Sequence, residues 1–185
     1  MKAKVIKVKK NLVGKSVPTN QHGHAGRAIE VLLEQEGFDI NRGKGVDLVK
    51  ENIEVKSRDE SAISPHTTVT MTLTEIKQKI WDDSVVKSKL QQQLRFTTKD
   101  GKIIKQELID LSDPQLQAFL KDAYDTCRQK IINGNTAKTI RGNKFGYFEK
   151  VRGTKESYAF RHSNGGMKKI INSTKSTFTN LIKYI

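Results

Sequence analysis

Long apolar runs are missing from this chain: no stretch approaches the ~20 apolar residues that a bilayer-spanning helix needs, so no membrane partner is expected. The opening MKAKVIKVKK also lacks the apolar core of a signal peptide, which makes a cytoplasmic protein the expectation. Cysteine is nearly absent. The single Cys127 excludes an internal disulfide, agrees with a reducing compartment and reads as a packing residue. Internal repeats, low-complexity segments and linker-like stretches are lacking too, so the 185 residues suit one domain, or one domain with two lobes, large enough for a real core. Acidic charge is scarce. Against 34 Lys+Arg stand 20 Asp+Glu, a net charge of +14 that costs self-repulsion unless a polyanionic partner offsets it. Because the basic residues are spread along the chain and not gathered in a tail, a folded, positively charged surface that meets nucleic acid is expected.

What is present reads as alternating helix and strand. A basic opening segment suggests a short strand, followed by a loop through Pro18 and TNQHGHAG. From Gly26 to Glu36 the apolar Ala28, Ile29, Leu32 and Leu33 recur at helical spacing, and Gly37 stops the helix. FDINRGKGVDLV reads as strand, Gly-rich turn and strand, Glu51-Asn52 as the next turn, and Thr67 to Leu73 as a further strand. Thr74 to Lys89 suggests helix, loop and helix. LRFTT and IIKQELI suggest strands around an Asp100-Gly101 hairpin turn. Asp113 stands at an N-cap position, Pro114 at the first helical position and Gly134 just past the end of the clearest helix of the second half. FGYFEKV and SYAFR read as strands, and a helix is expected from about Gly166 onward.

The stretch GVDLVKENIEVKSR, Gly45 to Arg58, carries the chemistry. Alternation places Glu54 and Lys56 on one face of a strand and Ile53 and Val55 on the other, while Asp47 follows the Gly-rich turn. Taken alone, such charges also suit a solvated strand edge. The arrangement Asp47, six residues, Glu54, one residue, Lys56 is however the D-x(6–20)-E-x-K signature of a PD-(D/E)xK nuclease. Hydrolysis of a phosphodiester needs Mg2+ held by hard oxygen ligands, and two carboxylates provide part of an octahedral shell. A lysine two residues from the second carboxylate points to the same side of the strand, where it can orient the attacking water and stabilise developing charge. Glu30 is a further carboxylate on the polar side of the first helix, where a solvated helical charge is the plain alternative. His22 and His24 lack partners at ligand spacing and read as solvated, and His66 and His162 offer no pairing. In GNKFGYF the aromatics read as core and Lys144 as a backbone contact.

Three blocks make the chain resemble the MutH mismatch-repair nicking endonucleases and their relatives among GATC-cutting restriction enzymes. They are GRAIE (Gly26 to Glu30, a helical G-x-x-x-E), the seven-residue step from Asp47 to Glu54, and WDDSVVKSKL (Trp81 to Leu90, a W-x-x-S-x-V-x-x-K-L block). DAYDTCRQKIINGNTAKTIRGNKFGYFEKVR is also similar to that family's helix, Gly turn and hairpin. The resemblance implies a restriction-endonuclease-like α/β fold: a mixed five-stranded sheet flanked by helices, in two lobes around a DNA cleft. The whole chain would be one nuclease domain, with a catalytic lobe over about 1–105 and a second DNA-contacting lobe over about 106–185. It further implies that Glu30, Asp47 and Glu54 hold Mg2+ at one or two positions, that Lys56 is the catalytic lysine, and that Lys89 is a second lysine near the site and the DNA backbone. The step from the first helix to Asp47 is longer than in that family. Base-reading residues there lie on variable loops, so GATC specificity is not carried over.

The expected function is a Mg2+-dependent, sequence-specific endonuclease of double-stranded DNA, of restriction type, with phosphate contacts from Lys87, Lys89, Arg141, Lys144, Arg152 and Arg161. Two other readings stay open. One is a strand-nicking mismatch-repair nuclease, or a catalytic subunit that depends on a separate recognition or activating subunit; a homodimer partner is open in either case. The other is a non-catalytic DNA-binding protein whose carboxylates are structural.

Overall fold

A computed structural model describes residues 11–17, 25–43, 45–61, 68–154, 156–162 and 182–184. They divide between two compact units, one drawn from Met1–Pro65, Lys89–Ser112 and Asn180–Ile185, the other from His66–Ser88 and Asp113–Thr179.

In the first unit the apolar stripe of the expected helix becomes α1, Ala25–Gln35. Ala28, Ile29, Leu32 and Leu33 are buried. Gly37, at φ +91°, ends the helix in the left-handed conformation, and Phe38 N donates back to Leu33 O at 3.0 Å. β1, Glu54–Asp59, runs parallel to β3, Gln92–Lys99. β3 turns through Asp100 (φ 49°) and Gly101 (φ 72°) into the antiparallel β4, Lys102–Asp110, two successive positive φ values being what a tight hairpin of this hand requires. β8, Ile182–Tyr184, adds antiparallel to β4, giving the order β1-β3-β4-β8. One face of this mixed sheet presents Val55, Leu94, Phe96 and Leu108 to a core shared with Ile29, Leu33, Leu48 and Ile53. Strand alternation then commits Glu54 and Lys56 to the other face.

The second unit holds an antiparallel sheet of β2 (Thr68–Thr72), β7 (Ser157–His162), β6 (Gly146–Lys150) and β5 (Thr139–Arg141), in the order β2-β7-β6-β5. β2 leads into α2, Leu73–Gln78, through a reciprocal cap in which Glu75 N donates to Thr72 Oγ1 and Thr72 N to Glu75 Oε2. A 3-10 turn at Trp81–Asp83 precedes α3, Val85–Lys89. α4, Pro114–Ile132, starts as its sequence dictates: Asp113 Oδ1 accepts from Gln115 N and Leu116 N, both at 3.0 Å, with Pro114 in the first turn. Cys127 is buried on α4 and its thiol donates to Ile140 O at 3.1 Å.

The protein is thus mixed α/β. Several expectations are corrected. The described strands form two sheets of four strands each, where one of five was expected. Residues 66–88 fall in the second unit and residues 89–112 in the first. FDINRGKGVDLV forms no strands of its own. Asn41 N donates to Asp47 O, and the Asn41 side chain takes up Gly43 N and Val46 O, leaving only an isolated bridge between Leu48 and Ile53. Residues 1–10 of the basic opening and His22, His24 and His66 lie outside the described residues, and within residues 11–17 Ser16 makes an isolated bridge to Lys102. Most of the helix expected from Gly166 also lies outside them. At the far end of that stretch Ile182–Tyr184 is strand. No helix of the described residues is long and apolar enough to cross a membrane.

Candidate active site

The head of β1 gathers four charged side chains, Asp47, Glu54, Lys56 and Lys89, the last of them 35 residues beyond Glu54. Glu54 is 1% exposed, which for a carboxylate demands partners. It has two: Lys56 Nζ, two residues along the same strand face, at 2.7 Å, and Lys89 Nζ, at the end of α3, at 3.0 Å. Both ammonium groups donate to Oε1. Oε2 is buried with no hydrogen-bond partner among the described residues. Asp47 is fixed by the strand itself, its Oδ2 accepting from Val55 N at 2.8 Å, so that the loop carboxylate is pinned to the backbone of the strand that carries Glu54. Burial pushes the Asp47 carboxyl up to about 6, the charge of Glu54 adds to the rise, and the Val55 amide and the two lysines oppose it.

Lys89 is delivered by the Trp81–Leu90 block, and each defined residue of that block has a physical task. Trp81 is buried with its ring 5.6 Å from that of Tyr124. Ser84 Oγ donates to Trp81 O and accepts from Lys87 N, capping α3. Val86 and Leu90 are buried, leaving Lys89 on the side that reaches Glu54.

Glu30 lies near this centre without joining it. It shares a hollow of about 390 Å3 with Asp47, Arg27, Asn41, Arg42 and Gly43. Among the described residues, no three His, Cys, Asp or Glu side chains are close enough together to hold a metal ion. The pair Asp47 and Glu54 nevertheless fits a divalent cation. A buried carboxylate oxygen without a donor and a neighbouring carboxyl whose ionisation is opposed are the two features that a bound cation relieves.

Of the expected phosphate contacts, Lys89 belongs to this cluster and the others fall in the second unit. Arg152 and Arg161 line a hollow of about 670 Å3 with Lys138 and Lys150, and Arg161 Nε is ion-paired with Glu149 at 2.8 Å. Lys87 is paired with Asp82 at 2.6 Å. Arg141 is exposed on the edge strand β5, and Lys144 stands over the Phe145 ring. His162 is buried on β7, away from any metal-ligand grouping among the described residues.

Sequence reasoning passed over Asn41, whose amide shapes the loop that presents Asp47, and Arg27 and Arg42 of the hollow. It also passed over Arg95, which stands beside Lys56 in register and donates from Nε and Nη2 to Gln93 Oε1. The signal for Arg95 was there: alternation along QQLRFTTK puts Gln93 and Arg95 on one face. Only the parallel pairing shows that this is the face of Glu54.

No known protein-family profile matches the chain, and no curated protein is significantly similar to it. The likeness to MutH-type nucleases therefore rests on the residue blocks themselves.

Proposed function

We propose that the protein is a Mg2+-dependent endonuclease of double-stranded DNA, restriction-like in its cleavage site, with Asp47 and Glu54 as the metal-holding carboxylates. The observation that carries this reading is the buried Glu54, with one oxygen taken by Lys56 and Lys89 and the other without a donor among the described residues, its charge acting on the Asp47 carboxyl. Bound Mg2+ would supply an acidified water and neutralise the charge on the scissile phosphate. Lys56 and Lys89 keep Oε1 occupied, which leaves Oε2 for the cation, and their ammonium groups place positive charge where the phosphate's charge grows. Asp47 is held in place by the Val55 amide, so its orientation does not depend on the cation. Glu30, on the hollow shared with Asp47, is the third carboxylate of this reading. The reading asks the duplex to meet Lys89 on the first unit and Lys87, Arg141, Lys144, Arg152 and Arg161 on the second. The DNA cleft of the MutH-like fold belongs to the same proposal.

A second reading has its own support. The two lysines already satisfy the charge of Glu54, and no three-carboxylate group is assembled among the described residues, as a non-catalytic DNA-binding protein with a structural ion cluster would have it. Supercoiled plasmid incubated with Mg2+, and in parallel with EDTA, separates the readings. Linear product supports the endonuclease, nicked product a strand-nicking enzyme or a subunit awaiting its partner, and a gel shift without product the structural cluster. Asp47→Ala and Glu54→Ala are each expected to lower cleavage at least about a hundredfold while duplex binding persists. Undiminished cleavage in either variant overturns the assignment.

A further inference from the structure

The hollow beside Asp47 contains two arginines in unequal states. Arg42 is committed: its Nη2 and Nε reach both oxygens of Glu34, at 2.6 and 3.3 Å, and that contact raises its already high affinity for its proton. Arg27 lines the same hollow, is exposed, and has no ion-pair partner among the described residues. It sits three residues before Glu30 on α1, so the guanidinium and that carboxylate project from the same side of the helix. Asn41 lines the same hollow, and its side chain accepts from Gly43 N and donates to Val46 O, which shapes the loop that leads to Asp47.

We propose that Arg27 is a phosphate-positioning residue, whose guanidinium grips the non-bridging oxygens of a DNA backbone phosphate at the mouth of the Glu30–Asp47 hollow. The inference rests on the endonuclease reading. Its physical basis is that an uncommitted guanidinium offers a planar fork of donors matched to two phosphate oxygens. Placed beside two carboxylates, it also offsets the repulsion those groups exert on an approaching phosphate. Arg42 cannot take that role without giving up Glu34, and the lysines of the cleavage site are tied to Glu54.

The test is equilibrium binding of one short duplex in Ca2+ across a series of salt concentrations, for the wild type, Arg27→Ala and Arg27→Lys, with single-turnover cleavage in Mg2+ at saturating DNA as the second readout. Arg27→Ala is expected to weaken binding about 5- to 20-fold and to make the slope of log K against log salt shallower by about 1. Arg27→Lys should restore the slope, because the charge is kept, but not the full cleavage rate, because the fork is lost. If Arg27 is only a counter-ion for Glu30 and Asp47, Arg27→Ala will leave the slope unchanged and tighten Ca2+ binding, and the proposal fails. A wild type that binds duplex but does not cleave, with the slope change intact, overturns the endonuclease reading and leaves the phosphate contact standing.

Discussion

Glu54 and Asp47 form an uneven pair, and the unevenness has thermodynamic consequences. Glu54 gives one oxygen to two ammonium groups, whereas Asp47 has a single amide donor and must ionise next to Glu54. Its carboxyl pKa is raised from 3.8 in the free state to about 6 in the fold. A raised folded-state pKa means that the stability contributed by this group is present below about 3.8 and is lost as the pH rises through about 6. At neutral pH the metal-free protein therefore carries a cost. Two pKa units amount to about 3 kcal/mol for a fully buried group, and the partial exposure of Asp47 reduces that to about 1–2 kcal/mol. Asp47→Asn retains an oxygen for the Val55 amide and removes the charge. It is expected to raise the metal-free unfolding free energy by about 1–2 kcal/mol at pH 7 and to leave it nearly unchanged at pH 4. Added Mg2+ should raise the Tm of the wild type and not that of the variant, a difference that a pair without a metal would not show. At this scale the sequence was partly legible. A two-residue period fixes which side chains share a strand face, so Glu54 and Lys56 could be paired by inspection. Lys89 lies 35 residues away from Glu54, beyond the reach of any periodicity, and it was reached only through the Trp81–Leu90 block. Arg27 and Asn41 carry no local signal, because their importance comes from which loop the fold lays against α1.

Local chemistry predicted elements best where it left the backbone little choice. Asp-Gly between two β-rich segments gave the β3–β4 hairpin, and Asp-Pro followed twenty residues later by Gly gave α4. Segments with competing options were misjudged. FDINRGKGVDLV has strand-like residues, but the Asn41 side chain captures the backbone groups that a strand would need. β5 is only three residues long, too short for alternation to register, and its place beside β6 is set by packing. That packing turns on two glycines. A Cβ at Gly142 would lie 2.2 Å from Ala123 O on α4, and one at Gly146 2.6 Å from Phe160 Cζ. The helix rests directly on the backbone of the β5–β6 turn, so an added methyl group must push two elements apart. Gly142→Ala is expected to destabilise the protein by about 2–4 kcal/mol in urea unfolding. Gly134→Ala makes a useful contrast: at φ +91° with nothing within 4 Å, it should cost only about 1 kcal/mol, from conformational strain alone. Equal losses in the two variants would mean that the close approach to Ala123 is not what holds α4 in place.

For the whole molecule the excess of positive charge is the property most directly tied to a partner, and the ion pairs decide how much of it is free to act. Six basic residues were expected at phosphates, which for a duplex would give a slope of log K against log salt near −5. The structure divides them. Lys89 is held by Glu54, Lys87 by Asp82 and Arg161 by Glu149, and each would have to exchange a carboxylate for a phosphate with little net release of counterions. Arg141, Lys144 and Arg152 have no ion-pair partner among the described residues. Three full contacts correspond to a slope of about −3, and Arg27 as a fourth brings it to about −4. The expected outcome for the wild type titrated with one duplex in Ca2+ is a slope between these values. Replacing Arg141, Lys144 and Arg152 by alanine together should remove most of it. Lys87→Ala should change it little, since the ammonium it deletes is already neutralised by Asp82. A wild-type slope near −5 would show that the paired lysines and Arg161 release their carboxylates on binding. One shallower than about −2 would show that the +14 charge is directed at something other than a duplex backbone, and the endonuclease reading would then lose its substrate.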